Sequence, residues 1–159
     1  MGASLNKAIL IAKGKYCARM DAEDRSLPDR LEKQISHLNK NNETDLLFCQ
    51  WKEIYLDGSE KKREPSSADV KNIRKNFFIK SILLHPTLIL RTDILKKHTY
   101  PEMDRPEDWV LFLDLINLGY RFDLVEEILY EYFIDNREKH RKVSSYSKNL
   151  LPHLIKNIP

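Results

Sequence analysis

Hydrophobic and polar residues follow one another along this chain in short blocks, and the period of those blocks changes often enough to predict a mixed order of helices and strands. SLNKAILIA, residues 4–12, suits a short helix with Ser4 as its cap and Gly14 closing it. In KYCARM, residues 15–20, Tyr16, Ala18 and Met20 alternate with Cys17 and Arg19, which is the period of a strand, and the strand runs into Asp21-Ala22-Glu23-Asp24. Pro28, with no donor to lose in a first turn, and Asp29, suited to a helix's positive end, open a helix. Its expected buried face is Leu31, Ile35 and Leu38, and Asn39-Lys40-Asn41-Asn42 stops it. LLFCQWKEIYL, residues 46–56, reads as a strand, Asp57-Gly58 as a turn that suits a hairpin, and SEKKREPS, residues 59–66, as a solvated, mobile loop.

A further helix is expected from Ser66 or Ser67 through Ile73. ILLHPTLIL, residues 82–90, supplies two apolar stretches broken at Pro86, and Arg91-Thr92-Asp93 caps another short helix. After a polar loop at 98–105, PEDWVLFLDLINLG is the clearest helix, with Trp109, Phe112, Leu113, Ile116 and Leu118 on one flank and Gly119 ending it. YRFDLV and ILYEYFI read as two strands, followed by a charged run from Asn136 to Lys142 and a helix from Ser147 to Ile155. No repeat, low-complexity tract or shift in composition marks a boundary. The expectation is one α/β domain over residues 1–159, with its core in 4–134 and a charged linker and terminal helix in 136–159.

Composition narrows the function classes. At 159 residues with 42% hydrophobic and 32% charged side chains, the chain has the apolar surface to collapse and is neither collagen-like nor disordered. Its 27 basic residues lie among 24 acidic ones for a net charge of +3, so no continuous basic field is laid out for nucleic acid. Lys61, Lys62 and Arg63 lack the interleaved aromatics of a stacking platform and read as a solvated charge run. No apolar run approaches the ~20 residues of a membrane span, and the first residues lack a signal-peptide pattern. Cys17 and Cys49 stand apart with no CxxC partner, which reads as buried free thiols in a reducing compartment.

Three features carry candidate chemistry. Asp21, Glu23 and Asp24 gather acids at the end of a strand, where α/β folds bind ligands, and carboxylate oxygens suit Mg²⁺ or Mn²⁺; a solvated turn with a helix-start acid explains the same cluster. Glu107 and Asp108 open the apolar helix, where first-turn acids serve either as caps or, at a cleft edge, as a general base. His85 interrupts an apolar run and is either a core-edge histidine or a substrate contact. The other histidines show no zinc spacing, and the chain has no GxSxG, glycine-rich phosphate loop or dinucleotide fingerprint.

Taken in order, KGKYCARMDAEDRSLPDRLEKQ, LLHPTLILR, PEDWVLFLDLINLGYRF and ILYEY resemble the second half of the catalytic domain of family 2 inverting glycosyltransferases, over roughly residues 4–134. The resemblance implies an incomplete GT-A sheet flanked by helices, and transfer of a sugar from a nucleotide-diphosphate donor to an acceptor hydroxyl with inversion. It implies that Asp21 contacts the donor and metal region, that Glu23 and Asp24 bind Mg²⁺ or Mn²⁺ with it, and that Arg19 balances the acids. Asp108 matches the base, Glu107 fixes the acceptor, and His85 lines the acceptor side. The acceptor would be a saccharide or lipid-linked, met in the cytoplasm or at the cytoplasmic membrane face.

The sequence departs from that pattern in Glu23, where aspartate is commoner, and in Asp114, where arginine is usual. Phe133 and Asp135 stand where the family's tail carries arginine and histidine, which argues against phosphate contacts from that tail. The strand–helix units that bind the base would precede Ser4, so a separate N-terminal half or a homo-oligomer is expected to cover the sheet edge. Weak or absent transfer by the chain alone follows. The competing expectation is a non-catalytic interaction module derived from such an enzyme.

Overall fold

Along the chain the elements are α1 (Gly2–Ile11), β1 (Tyr16–Ala18), β2 (Arg25–Ser26), α2 (Arg30–Lys40), β3 (Leu46–Tyr55), β4 (Glu60–Arg63), α3 (Ser67–Lys71), α4 (Ile73–Asn76), a 3-10 turn (His85–Thr87), β5 (Ile89–Arg91), α5 (Thr92–Lys97), α6 (Glu107–Asn117) and β6 (Phe122–Ile134). The computed structural model describes residues 2–77, 82–103 and 106–134. The charged run at 136–142 and the helix expected at 147–155 lie outside the described residues. The α/β class holds, with contacts clustering into two units, residues 2–17 with 91–120 and residues 18–90 with 121–134.

The second unit is built on β3. Leu46, Leu47, Phe48 and Cys49 are consecutive and fully buried, the pattern of a strand covered on both faces. β6 runs parallel to β3 over its whole length, β5 pairs antiparallel with its start, and β4 antiparallel with its end. β2 pairs antiparallel with β6. The sheet is therefore mixed. YRFDLV and ILYEYFI are not two strands but the single β6: the register shifts between Cys49 and Trp51, so Glu126 and Glu127 face solvent without ending the strand. There the Glu126 carboxylate accepts from the Ser67 amide, and Glu127 pairs with Lys33.

Residues 60–63 correct the loop expected at 59–66. They form β4, registered from Trp51↔Arg63 to Ile54↔Glu60 across a turn with Gly58 at φ +80°. An edge strand needs no apolar side chains, and this one is held by ladder bonds and by the Lys52–Glu60 and Arg63–Glu53 pairs. Ser66 and Asp69 make a reciprocal capping box on α3, as the sequence suggested for a start near Ser66. That helix breaks at Asn72 into α3 and α4.

The buried face of α2 also differs from the expected one. Leu31 is 51% exposed, whereas Arg30 and Gln34 are fully buried beside Leu38. Hydrophobicity alone misassigned the face, because these two polar side chains satisfy backbone carbonyls that apolar residues would orphan.

In the first unit, α1 starts at Gly2 and contains Ser4, so Ser4 is not its cap; Gly14 lacks the positive φ of a closing glycine. Gly2 packs where a Cβ would stand 2.8 Å from the Pro101 carbonyl. Asn6 clasps Tyr100 with two bonds, Nδ2 donating to its carbonyl at 2.8 Å and Oδ1 accepting from its amide at 2.9 Å. α6 ends in a Schellman motif, with the Tyr120 amide donating to the Leu115 carbonyl and that of Gly119, at φ +84°, to Ile116. Leu118, expected on the apolar flank, is 60% exposed because it lies in that cap; Val110, Leu111 and Leu115 are buried instead. Cys17 is half-buried and Cys49 buried, and both are free thiols. Among the described residues no helix is long and apolar enough to cross a membrane.

Candidate functional site

β1 ends at Ala18, and the chain then turns through the acids rather than continuing as a strand. The turn closes with the Asp24 amide donating to the Asp21 carbonyl at 3.3 Å. Its position is set by Tyr130 of β6, whose hydroxyl accepts from the Asp21 amide at 3.2 Å and donates to Asp24 Oδ2 at 2.7 Å. Asp24 Oδ1 accepts from the Phe133 amide at 3.0 Å. Both oxygens of Asp24 are thus committed to the fold. Burial raises its carboxyl above the ordinary value, against the two hydrogen bonds and with Asp21's charge beside it. Asp21 is half-buried and its Oδ1 accepts from the Arg19 guanidinium, while Glu23 is exposed.

The cluster therefore divides. Asp21 and Glu23 offer hard oxygen donors suited to Mg²⁺ or Mn²⁺, and Asp24 anchors the turn. Among the described residues no group of three His, Cys, Asp or Glu side chains is arranged to hold a metal ion. A pair of carboxylates that leaves further positions to waters and a diphosphate is chemically adequate for such a cation.

His85 opens the 3-10 turn that precedes β5 and is only 8% exposed. Burial, aided by the positive charge of Arg19, pushes its pKa down to about 3, so the imidazole is neutral near pH 7. Whatever His85 contacts, it meets as a neutral donor and acceptor.

In the other unit, Glu107 and Asp108 form the first turn of α6, as the sequence suggested. Glu107 is 4% exposed, and its Cβ lies beside Gly2. Asp108 is half-buried, and its Oδ1 accepts from the Trp109 amide at 2.9 Å, so the helix start holds the carboxylate. Asp114 is exposed on the same helix, and Asp135 lies outside the described residues.

Sequence reasoning missed Tyr130, Arg30 and Gln34. The guanidinium of Arg30 lies over the Tyr130 ring, 4.9 Å from its centroid, and its Nη2 donates to the Arg19 carbonyl at 3.0 Å and more weakly to that of Leu88 at 3.4 Å. Gln34 accepts from Arg30 Nε at 3.0 Å and donates to the Thr87 carbonyl at 3.0 Å. The available signal was the i, i+4 polar pair in DRLEKQ, which falls on one helix face but reads as a solvated one.

The family model described as Glycosyl transferase family 2 matches residues 1–129. An uncharacterized glycosyltransferase of Methanocaldococcus jannaschii is 40% identical over 91% of this chain and 53% of its own length. The O-antigen biosynthesis glycosyltransferase WbnJ of Escherichia coli is 32% identical over 90% of this chain and 57% of its own. Among solved structures, S. aureus TarS 1–349 in complex with UDP-GlcNAc superposes with a TM-score of 0.71 over 98% of this chain and 46% of that one; at 17% identity this is a likeness of fold. The chain spans about half the length of the curated relatives it matches.

Proposed function

The chain belongs to glycosyltransferase family 2, and from that premise we propose that it contributes to transfer of a sugar from a nucleotide-diphosphate donor to an acceptor hydroxyl with inversion. The observation that carries this reading is the acidic turn: its Asp21 amide is held by Tyr130 and its carboxylate by Arg19, and Glu23 is open to solvent. Asp21 and Glu23 hold the divalent cation, Mg²⁺ or Mn²⁺, with Asp24 shaping the turn behind them. When bound, that cation supplies Lewis-acid neutralisation of the departing diphosphate.

Asp108 takes the proton of the acceptor hydroxyl as its oxygen bonds to the anomeric carbon. The bond from that carbon to the diphosphate oxygen breaks on the opposite face, which inverts the centre. Glu107 orients the acceptor from the same helix turn, and His85 lines the acceptor side as a neutral imidazole. The O-antigen role named for the E. coli relative supports a saccharide acceptor, lipid-linked or free. Free thiols at Cys17 and Cys49 favour the cytoplasm or the membrane face bordering it.

Calorimetry of uridine diphosphate with Mn²⁺, together with sugar turnover, tests the reading on the full-length protein. Asp21→Ala should abolish the Mn²⁺-dependent part of binding. Asp108→Asn should leave it intact while lowering turnover by about 10²–10⁴-fold, the range expected for loss of a general base. Wild-type protein that binds no nucleotide leaves the interaction-module reading in its place, and an Asp108→Asn variant with full turnover removes Asp108 as the base.

A further inference from the structure

Arg30 carries a charge in a place that gives it no anion. It is 1% exposed, and among the described residues its hydrogen bonds go only to neutral oxygens: Gln34 Oε1, the Arg19 carbonyl and the Leu88 carbonyl. Burial lowers its pKa. A desolvated guanidinium without a carboxylate is costly, and a leucine would fill the same helix position without that cost. Its contacts share one destination. Through Nη2 it fixes the Arg19 carbonyl, two residues before Asp21. Through the cation–π contact it backs the Tyr130 ring, whose hydroxyl binds the Asp21 amide and Asp24 Oδ2.

We propose that Arg30 is the positioning residue of the acidic turn: through the Arg19 carbonyl and the Tyr130 ring it sets where the Asp21 carboxylate points. Asp24 tethers the far side of the turn to the Tyr130 hydroxyl and the Phe133 amide, and Arg30 acts on its near side, at the Arg19 carbonyl. Two residues beyond β1 the chain has left the strand, and it rejoins the sheet only where Arg25 pairs with Glu131. A planar fork that reaches several acceptors and stacks on a ring is the one side chain suited to this geometry; an ammonium on a flexible stem cannot hold them together. The benefit to Mn²⁺ and nucleotide rests on the transferase reading above, whereas the ordering of the turn does not.

The test therefore has two readouts on the full-length protein. The first is amide exchange across residues 19–24, and the second is the affinity for uridine diphosphate with Mn²⁺. The variants are Arg30→Lys and Tyr130→Phe. Leu38→Val serves as control, since it trims a buried side chain about two turns further along α2. Arg30→Lys and Tyr130→Phe should each speed exchange in 19–24 and weaken binding by about tenfold, the scale of a lost hydrogen bond or two. Leu38→Val, at a similar loss of melting temperature, should do neither.

Unchanged exchange and affinity in Arg30→Lys overturn the proposal, and so does an equal effect from Leu38→Val. If wild-type protein binds no Mn²⁺ and nucleotide, the transferase reading fails. Exchange alone then decides: faster in Arg30→Lys supports the positioning role, and unchanged refutes it.

Discussion

Gln34→Leu tests whether the polar face of α2 holds the second unit together. Gln34 is 0% exposed, accepts from Arg30 Nε at 3.0 Å and donates to the Thr87 carbonyl at 3.0 Å, with a longer contact of 3.4 Å to the Leu47 carbonyl. Leucine matches the volume closely but removes both good bonds, leaving a guanidinium N–H and a carbonyl buried without partners. Each orphaned group costs about 1–3 kcal/mol, so the loss is roughly 2–6 kcal/mol. The greater apolarity of leucine returns about 1 kcal/mol. The expected net destabilisation is therefore about 1–5 kcal/mol, opposite in sign to what a helix judged only by hydrophobicity would show. Urea denaturation followed by circular dichroism measures it: the midpoint should fall with the slope unchanged. A Gln34→Leu protein as stable as wild type, or more stable, would refute the reasoning and mean that water or relaxation satisfies those groups.

Other consequences follow from single groups. Gly119→Ala should cost about 1 kcal/mol, since φ is +84° and no neighbour lies within 4 Å of the added Cβ; a melting temperature unchanged from wild type would contradict this. At Glu131 burial pulls the pKa up, but Arg25 and Lys52 outweigh it and the net shift is downward. Its stabilisation is thus present above the ordinary value of 4.5 and lost as the pH falls through the folded pKa, and Glu131→Gln should flatten that acid limb of the stability–pH curve. His85, held at about 3, takes a proton more readily when unfolded, so stability should decline as the pH drops from 6.5 towards 3. Its ring resonances should not titrate between about pH 5 and 8; an NMR midpoint in that range would show that the imidazole is not desolvated.

Local rules carried the chain a long way. The helix start near Ser66 and the end of α6 at Gly119 are each decided within a few residues, and the structure agrees with the sequence at both, whereas α2 begins only at Arg30, with Pro28 and Asp29 as a turn ahead of it. The pairing of Glu107 with Asp108 on one helix start was legible for the same reason. Where a partner strand decides, pattern reading failed. The edge strand at 60–63 has no hydrophobic signature because only its backbone is paired, and the bulge in β6 looked like a break because its two glutamates interrupt the alternation.

The acidic turn shows both sides. Its composition was visible as three acids after a strand, but the division of labour among them was not. Asp24 became an anchor and the Asp21 amide was fixed because Tyr130, more than a hundred residues away, comes to lie beside them. Arg30 and Gln34 turn inward for a similar reason: the carbonyls of Arg19 and Thr87 need donors, and that need exists only once α2 lies against the chain segments that carry them. Residue order alone determined which segments could be helix or strand and where carboxylates were available. Long-range packing decided which polar groups lost water, and the cost of leaving them unpaired assigned each its task.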